Sequence, residues 1–209
     1  MMQHTIITIG RQFGSGGHEV GNRLAERLDI PLYDHNLIRM AAEELRISRE
    51  DAQKVDETVL GRFLSAYAAS SPEYRVFVTS DESGKPLTDR VFEQQSAIIR
   101  KLAEGGPGIF VGRCADYILG DYSNCINTFI YAYKEDRVRR IMKLYKLTEK
   151  QAADRIKKTD RERKVYYESR TGREWGGIEA NSMMFNVSLL GIDGAVDALE
   201  AIYRKWETR

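Results

Sequence analysis

A chain of 209 residues, 42% of them hydrophobic, is long enough to bury a full core and fits a single domain. Its 32 basic and 31 acidic residues leave a formal charge of +1, which argues against general affinity for nucleic acid or a membrane, so a charged partner must be attracted locally. No apolar run approaches the roughly 20 residues of a membrane span, and Met1-Met2-Gln3-His4 carries no charged-then-apolar leader, so a cytoplasmic protein is expected.

Residues 5–21 organise the rest. Thr5-Ile6-Ile7-Thr8-Ile9 reads as a buried β-strand, Gly10-Arg11-Gln12-Phe13-Gly14-Ser15-Gly16-Gly17 as a glycine-rich loop, and the residues beyond as a helix with Val20, Leu24 and Leu28 on one face. Glycines allow successive backbone N–H groups to curl inward, and the following helix points its positive end at the same place, so an anion belongs there. The nucleotide-binding pattern GxxxxGK[ST] nonetheless fails: with Gly16 as its second glycine, Arg11 takes the first glycine position, Gly17 the lysine and His18 the hydroxyl residue. A turn that merely packs helix on strand is the alternative, and Gly21 reads as such a packing residue.

Further along, Ile30-Pro31-Leu32-Tyr33 is extended, and Asp34 is placed to cap a helix bearing Leu37, Ile38, Ala41 and Leu45. A helix without a clean face is expected over about 48–71 and a polar turn over 80–86. Thr88 caps an amphipathic helix carrying Val91, Phe92, Gln95, Ile98, Ile99 and Leu102, which stops at Gly105-Gly106-Pro107-Gly108. The next strand, Ile109-Phe110-Val111, runs into Gly112-Arg113-Cys114-Ala115-Asp116, placing an arginine and a carboxylate where open α/β sheets hold their ligands. Cys114 and Cys125 lack metal-site spacing and read as reduced packing thiols, and His4, His18 and His35 are not spaced as a metal cluster.

A fourth strand is expected over 126–133, then a helix from Lys134 bearing Arg137, Arg139, Arg140 and Lys143. Thr148-Glu149-Lys150-Gln151 is a capping box opening a helix to about Lys158. The basic run from Arg155 to Arg173 is either a solvated face or a grip on phosphate, and its preference for arginine over lysine suits forked phosphate contacts. Gly172, Gly176 and Gly177 around Trp175 supply the hinges of a flap. A last strand over 183–187 and a closing helix with Val196, Leu199 and Trp206 complete an α/β alternation around a parallel sheet.

Four segments together resemble the cytidylate kinase-like family of P-loop nucleoside monophosphate kinases: the glycine loop, 111–119, Asp160-Arg161-Glu162-Arg163 with Tyr166-Tyr167, and Asn186-Val187-Ser188 with Leu190-Gly191-Ile192. The resemblance implies a three-layer fold around five parallel strands, with a monophosphate-binding insertion at about 35–105 and a lid at about 148–177. It implies transfer of the ATP γ-phosphoryl group to CMP, dCMP or a similar acceptor, with Mg2+ whose ligands are not identified. Gly14, Ser15, Gly16, Gly17 and His18 would bind ATP; Asp34, Arg113, Asp116 and Asp160 would serve the acceptor, with Asp160 either binding a nucleotide edge or orienting the lid arginines; Arg161 and Arg163 would be catalytic lid arginines. Arg11 is the residue expected to replace the missing lysine charge, with His18 its competitor. A regulatory nucleotide-binding module and a kinase of a non-nucleotide small molecule are the alternatives, and a homodimer is left open.

Overall fold

The computed structural model describes residues 4–34 and 87–208. The helix expected to follow Asp34, the segment 48–71 and the turn 80–86 lie outside the described residues. Strand β1 (Ile6–Arg11) is the centre of the sheet because its β-branched run is buried on both faces, with Ile6, Ile7 and Ile9 fully inaccessible. It pairs in parallel with β3 (Gly108–Val111) on one side and β4 (Cys125–Tyr131) on the other. Outside these lie β2 (Leu32–Tyr33), paired with β3, and β5 (Met183–Asn186), paired with β4, giving the parallel order β2-β3-β1-β4-β5.

Helix α1 (Gly17–Leu28) presents Val20, Leu24 and Ala25 to a core completed by Ile7, Ile9, Val111, Ile130 and the Ala195, Val196, Leu199 face of α6 (Val187–Glu207). Arg23–Asp193 and Arg27–Asp197 ion pairs run between the same two helices, but all four side chains are substantially exposed and add little to the apolar packing. Among the described residues the remaining helices are α2 (Leu87–Gly105), α3 (Ala115–Ile118), α4 (Lys134–Tyr145) and α5 (Glu149–Thr171), followed by a 3-10 turn, Ile178–Ala180. The chain divides into two compact units, 1–34 with 103–209, and 35–102. Of the second, the described part is helical through residue 102, with Ser96 Oγ donating to Phe92 O at 2.7 Å within the helix.

Several boundaries differ from expectation. The helix opened by the Thr148 capping box continues to Thr171 rather than stopping near Lys158, so the arginines from Arg155 to Arg170 share one continuous helix, and Arg173 and the glycines follow it. Residue 88 lies inside α2, which begins at Leu87, and β4 ends at Tyr131, two residues short of the expected 133. The last helix starts directly after Asn186, whose side chain accepts from Ser188 N, but Gly191 at φ 72° interrupts it. Both halves of the capping box are formed, so Thr148→Ala should lower unfolding stability by about 1 kcal/mol in a urea titration.

Candidate active site

The loop leaving β1 has the backbone an anion cradle needs. Gly14 and Gly16 adopt φ of 82° and 87°, values that L side chains rarely reach. Ser15 is buried and turned inward: its Oγ donates to Gln12 O at 2.9 Å and accepts from Gly17 N at 3.4 Å. Among the described residues, the Gly14 and Gly16 amides donate no hydrogen bond, and no side chain caps α1, whose positive end opens on the same loop. This arrangement suits phosphate oxygens.

The loop is gripped from outside at Phe13. Its N–H donates to Asp160 Oδ1 at 2.7 Å, its carbonyl accepts from Arg137 Nε at 2.9 Å, and Arg137 Nη2 donates to the other Asp160 oxygen. The Phe13 ring lies between cations: Arg155 and Arg163 stand 5.8 and 5.6 Å from its centroid, and Arg155 also stacks 3.8 Å over Tyr145. Helices α4 and α5 therefore fix both the main chain and the side chain of the residue preceding Gly14.

At the carboxyl ends of β1 and β3 three arginines converge. A Cβ placed on Gly112 would fall 2.0 Å from Arg11 Nη1, so the Arg11 guanidinium rests against that backbone, next to Arg113. Arg163 Nη1 donates to Arg11 O at 2.9 Å. Burial, then the neighbouring Arg163 and Arg113, push the Arg11 guanidinium well below its ordinary range, with Asp34 pulling the other way. Burial likewise lowers Arg113, and brings Arg163 down to about 10. Gly112, Arg113 and Cys114 occupy left-handed backbone in succession, with φ of 73°, 61° and 56°. For Arg113 and Cys114 that is a strained conformation of the kind concentrated at functional sites.

The other expected site residues are placed as follows. His18 is half exposed and leans toward the end of β2, with Nε2 2.9 Å from Asp34 Oδ2 and Nδ1 3.3 Å from Asn22 Nδ2. An amide donating to Nδ1 puts the imidazole proton on Nε2, so the histidine serves Asp34 rather than the loop. Asp160 has both oxygens committed to Phe13 and Arg137, which makes it a loop holder and leaves its expected acceptor role without support in the geometry. Arg161 is exposed, on the other side of α5 from Arg163. Asp116 accepts from Tyr167 Oη at 2.5 Å, and burial raises its carboxyl above the usual range.

Sequence reasoning assigned no role at the site to Arg137, Arg140 or Ile192, and read Arg155 only as part of the basic run. Arg140 pairs with Glu19, and its Cζ and Ile192 Cδ1 would lie 3.5 and 2.4 Å from a Cβ on Gly16. A signal existed: Arg137, Arg140 and Ile141 recur at helical spacing, which puts two arginines on the buried face of α4.

The profile of the cytidylate kinase-like family matches residues 6–189, and the chain belongs to this family. Among solved structures, an uncharacterized protein from Eubacterium ventriosum is 28% identical with a TM-score of 0.69, covering 96% of this chain and 99% of that one. Shikimate kinase from Bacteroides thetaiotaomicron (16% identity, TM-score 0.51, 96% and 98% covered) and a gluconokinase from Sinorhizobium meliloti (13%, 0.54, 98% and 97%) share the fold. The fold is thus the α/β P-loop kinase fold expected from the sequence. No curated protein matches the chain. Among the described residues, no helix is long and apolar enough to cross a membrane.

Two outcomes follow from the geometry. Asp160→Ala strands the Phe13 amide and the buried Arg137 charge, so it should cost about 3 kcal/mol of stability by urea titration. Asp116 binds its proton more tightly folded than unfolded, so its contribution is full below the unfolded pKa and is lost as pH rises. The stability of Asp116→Asn relative to the parent should therefore increase as pH rises from about 4 toward neutrality, measured by thermal unfolding across that range.

Proposed function

We propose that the protein transfers the γ-phosphoryl group of ATP to a nucleoside monophosphate, with CMP or dCMP the acceptor the family points to. The observation that carries this reading is the convergence of Arg11, Arg113 and Arg163 beside a glycine loop that leads into an uncapped helix end. Phosphoryl transfer asks for positioning and for positive charge on the moving oxygens rather than a protein nucleophile, and such a set supplies both. The Gly14 and Gly16 amides and the end of α1 take the donor phosphates. Arg113, held on strained backbone past β3, and Arg163, reaching in from α5, bracket the group in transit.

Magnesium is the cofactor such a reaction implies, and it fits poorly as a resident ion. The hydroxyl position that ligates it in the usual loop is His18, turned to Asp34, and among the described residues no three His, Cys, Asp or Glu side chains converge. No step is assigned to it. A second reading, nucleotide binding without turnover, draws on the same loop because Gly17 brings no cation of its own.

Release of ADP from ATP and magnesium with CMP, dCMP, UMP and AMP in turn separates the two: turnover with a cytidine nucleotide is expected, and ATP binding without ADP release from any acceptor would favour the second. Arg163→Ala should lower kcat by about 10²-fold or more while leaving the fold intact, since a charge acting on the transferring group is felt mainly in the transition state.

A further inference from the structure

The glycines of the loop are there for two different reasons. Gly14 and Gly16 are required by their positive φ, whereas Gly17 has no such conformation and opens a helix, where glycine is among the poorest residues. Space explains Gly17. A Cβ there would come 2.6 Å from Arg11 Cβ, 3.1 Å from Arg11 Cγ and 3.1 Å from Ile130 Cβ, so the Arg11 stem fills the volume that a side chain at 17 would enter. At the other end a Cβ on Gly112 would stand 2.0 Å from Arg11 Nη1 and 3.0 Å from its Cζ. Two glycines, one on α1 and one after β3, thus bound a slot through which the strand arginine runs.

Position 17 is where the GxxxxGK[ST] pattern carries its lysine. We propose that Arg11 is that cation moved from helix to strand: its stem excludes a lysine at 17, and its guanidinium is delivered on the β3 side, beside Arg113 and Arg163, to the oxygens of the phosphoryl group in transit. The charge therefore lies toward the acceptor end of the site, rather than over the loop, where the sequence led one to expect it. This assignment rests on the phosphotransfer reading above. Its rival is an arginine kept only to balance Asp34, whose charge also acts on Arg11.

A charge transplant distinguishes them, using the full chain as parent, Arg11→Ala, Gly17→Lys and the double variant. Arg11→Ala should lower kcat by about 10²-fold with a KM for ATP changed only a few-fold, because the lost contact acts on the transition state. Gly17→Lys alone should lower Tm and activity, its stem meeting Arg11. In the double variant the lysine has the vacated space, and kcat should recover by about tenfold over Arg11→Ala as the cation returns. Parent-like kcat in Arg11→Ala would overturn the proposal, as would a folded double variant no more active than Arg11→Ala. Should the parent release no ADP with any acceptor, the phosphotransfer reading fails first. The slot is then judged by Tm, where the Gly17→Lys loss must vanish in the Arg11→Ala background, and the cation by affinity for ADP with aluminium fluoride, a mimic of the group in transit, which Arg11→Ala must lower and the double variant must restore. Additive losses in Tm or an unrestored affinity would overturn it.

Discussion

The structure around the glycine loop depends on how Phe13 is held. A loop rich in glycine has many conformations to lose, and only an external restraint makes its amides a preorganised cradle. Asp160 and Arg137 provide that restraint by taking the N–H and carbonyl of a single peptide residue, while Arg155 and Arg163 hold its ring. Because Asp160, Arg155 and Arg163 all belong to α5, the geometry of the loop and the position of that helix are one variable.

The same helix brings Arg163 to the carbonyl of Arg11, so the clamp and the arginine cluster share a support. Burying three guanidinium groups together at the ends of β1 and β3 is costly: burial first, then the neighbouring Arg163 and Arg113, lower the affinity of Arg11 for its proton. Such a cost is tolerated where an anion is to be bound, and a phosphoryl group carries the charge that relieves it. The left-handed backbone at Arg113 and Cys114 is a second cost at the same place.

Much of the fold was legible because parallel strands buried on both faces have a plain signature: Ile6-Ile7-Thr8-Ile9 and Ile109-Phe110-Val111 are unbroken runs of strand formers ending in glycine or arginine. The capping box at Thr148 was legible for the same local reason. The far end of α5 was not. Its residues beyond 158 are polar nearly all round, so no hydrophobic period carries the helix forward, and the run was read as a flap with hinges. The site was legible as residue types and only partly as roles. Arg11, Arg113 and Arg163 are brought together, whereas Asp160, expected either to orient arginines or to bind a nucleotide edge, meets Phe13 and Arg137, and Arg137, given no role from the sequence, is buried. Such assignments depend on which face of a long polar helix meets the loop, and sequence spacing alone does not say.

On the proposed function, the loop and the end of α1 form a phosphate cradle set by helix α5. Amide hydrogen exchange with and without a bisubstrate analogue tests it most directly. Exchange at Gly14 and Gly16, whose amides donate to no other described residue, should slow markedly on binding, together with that of α5. Exchange at these two glycines left unchanged by an analogue shown to bind would contradict the account.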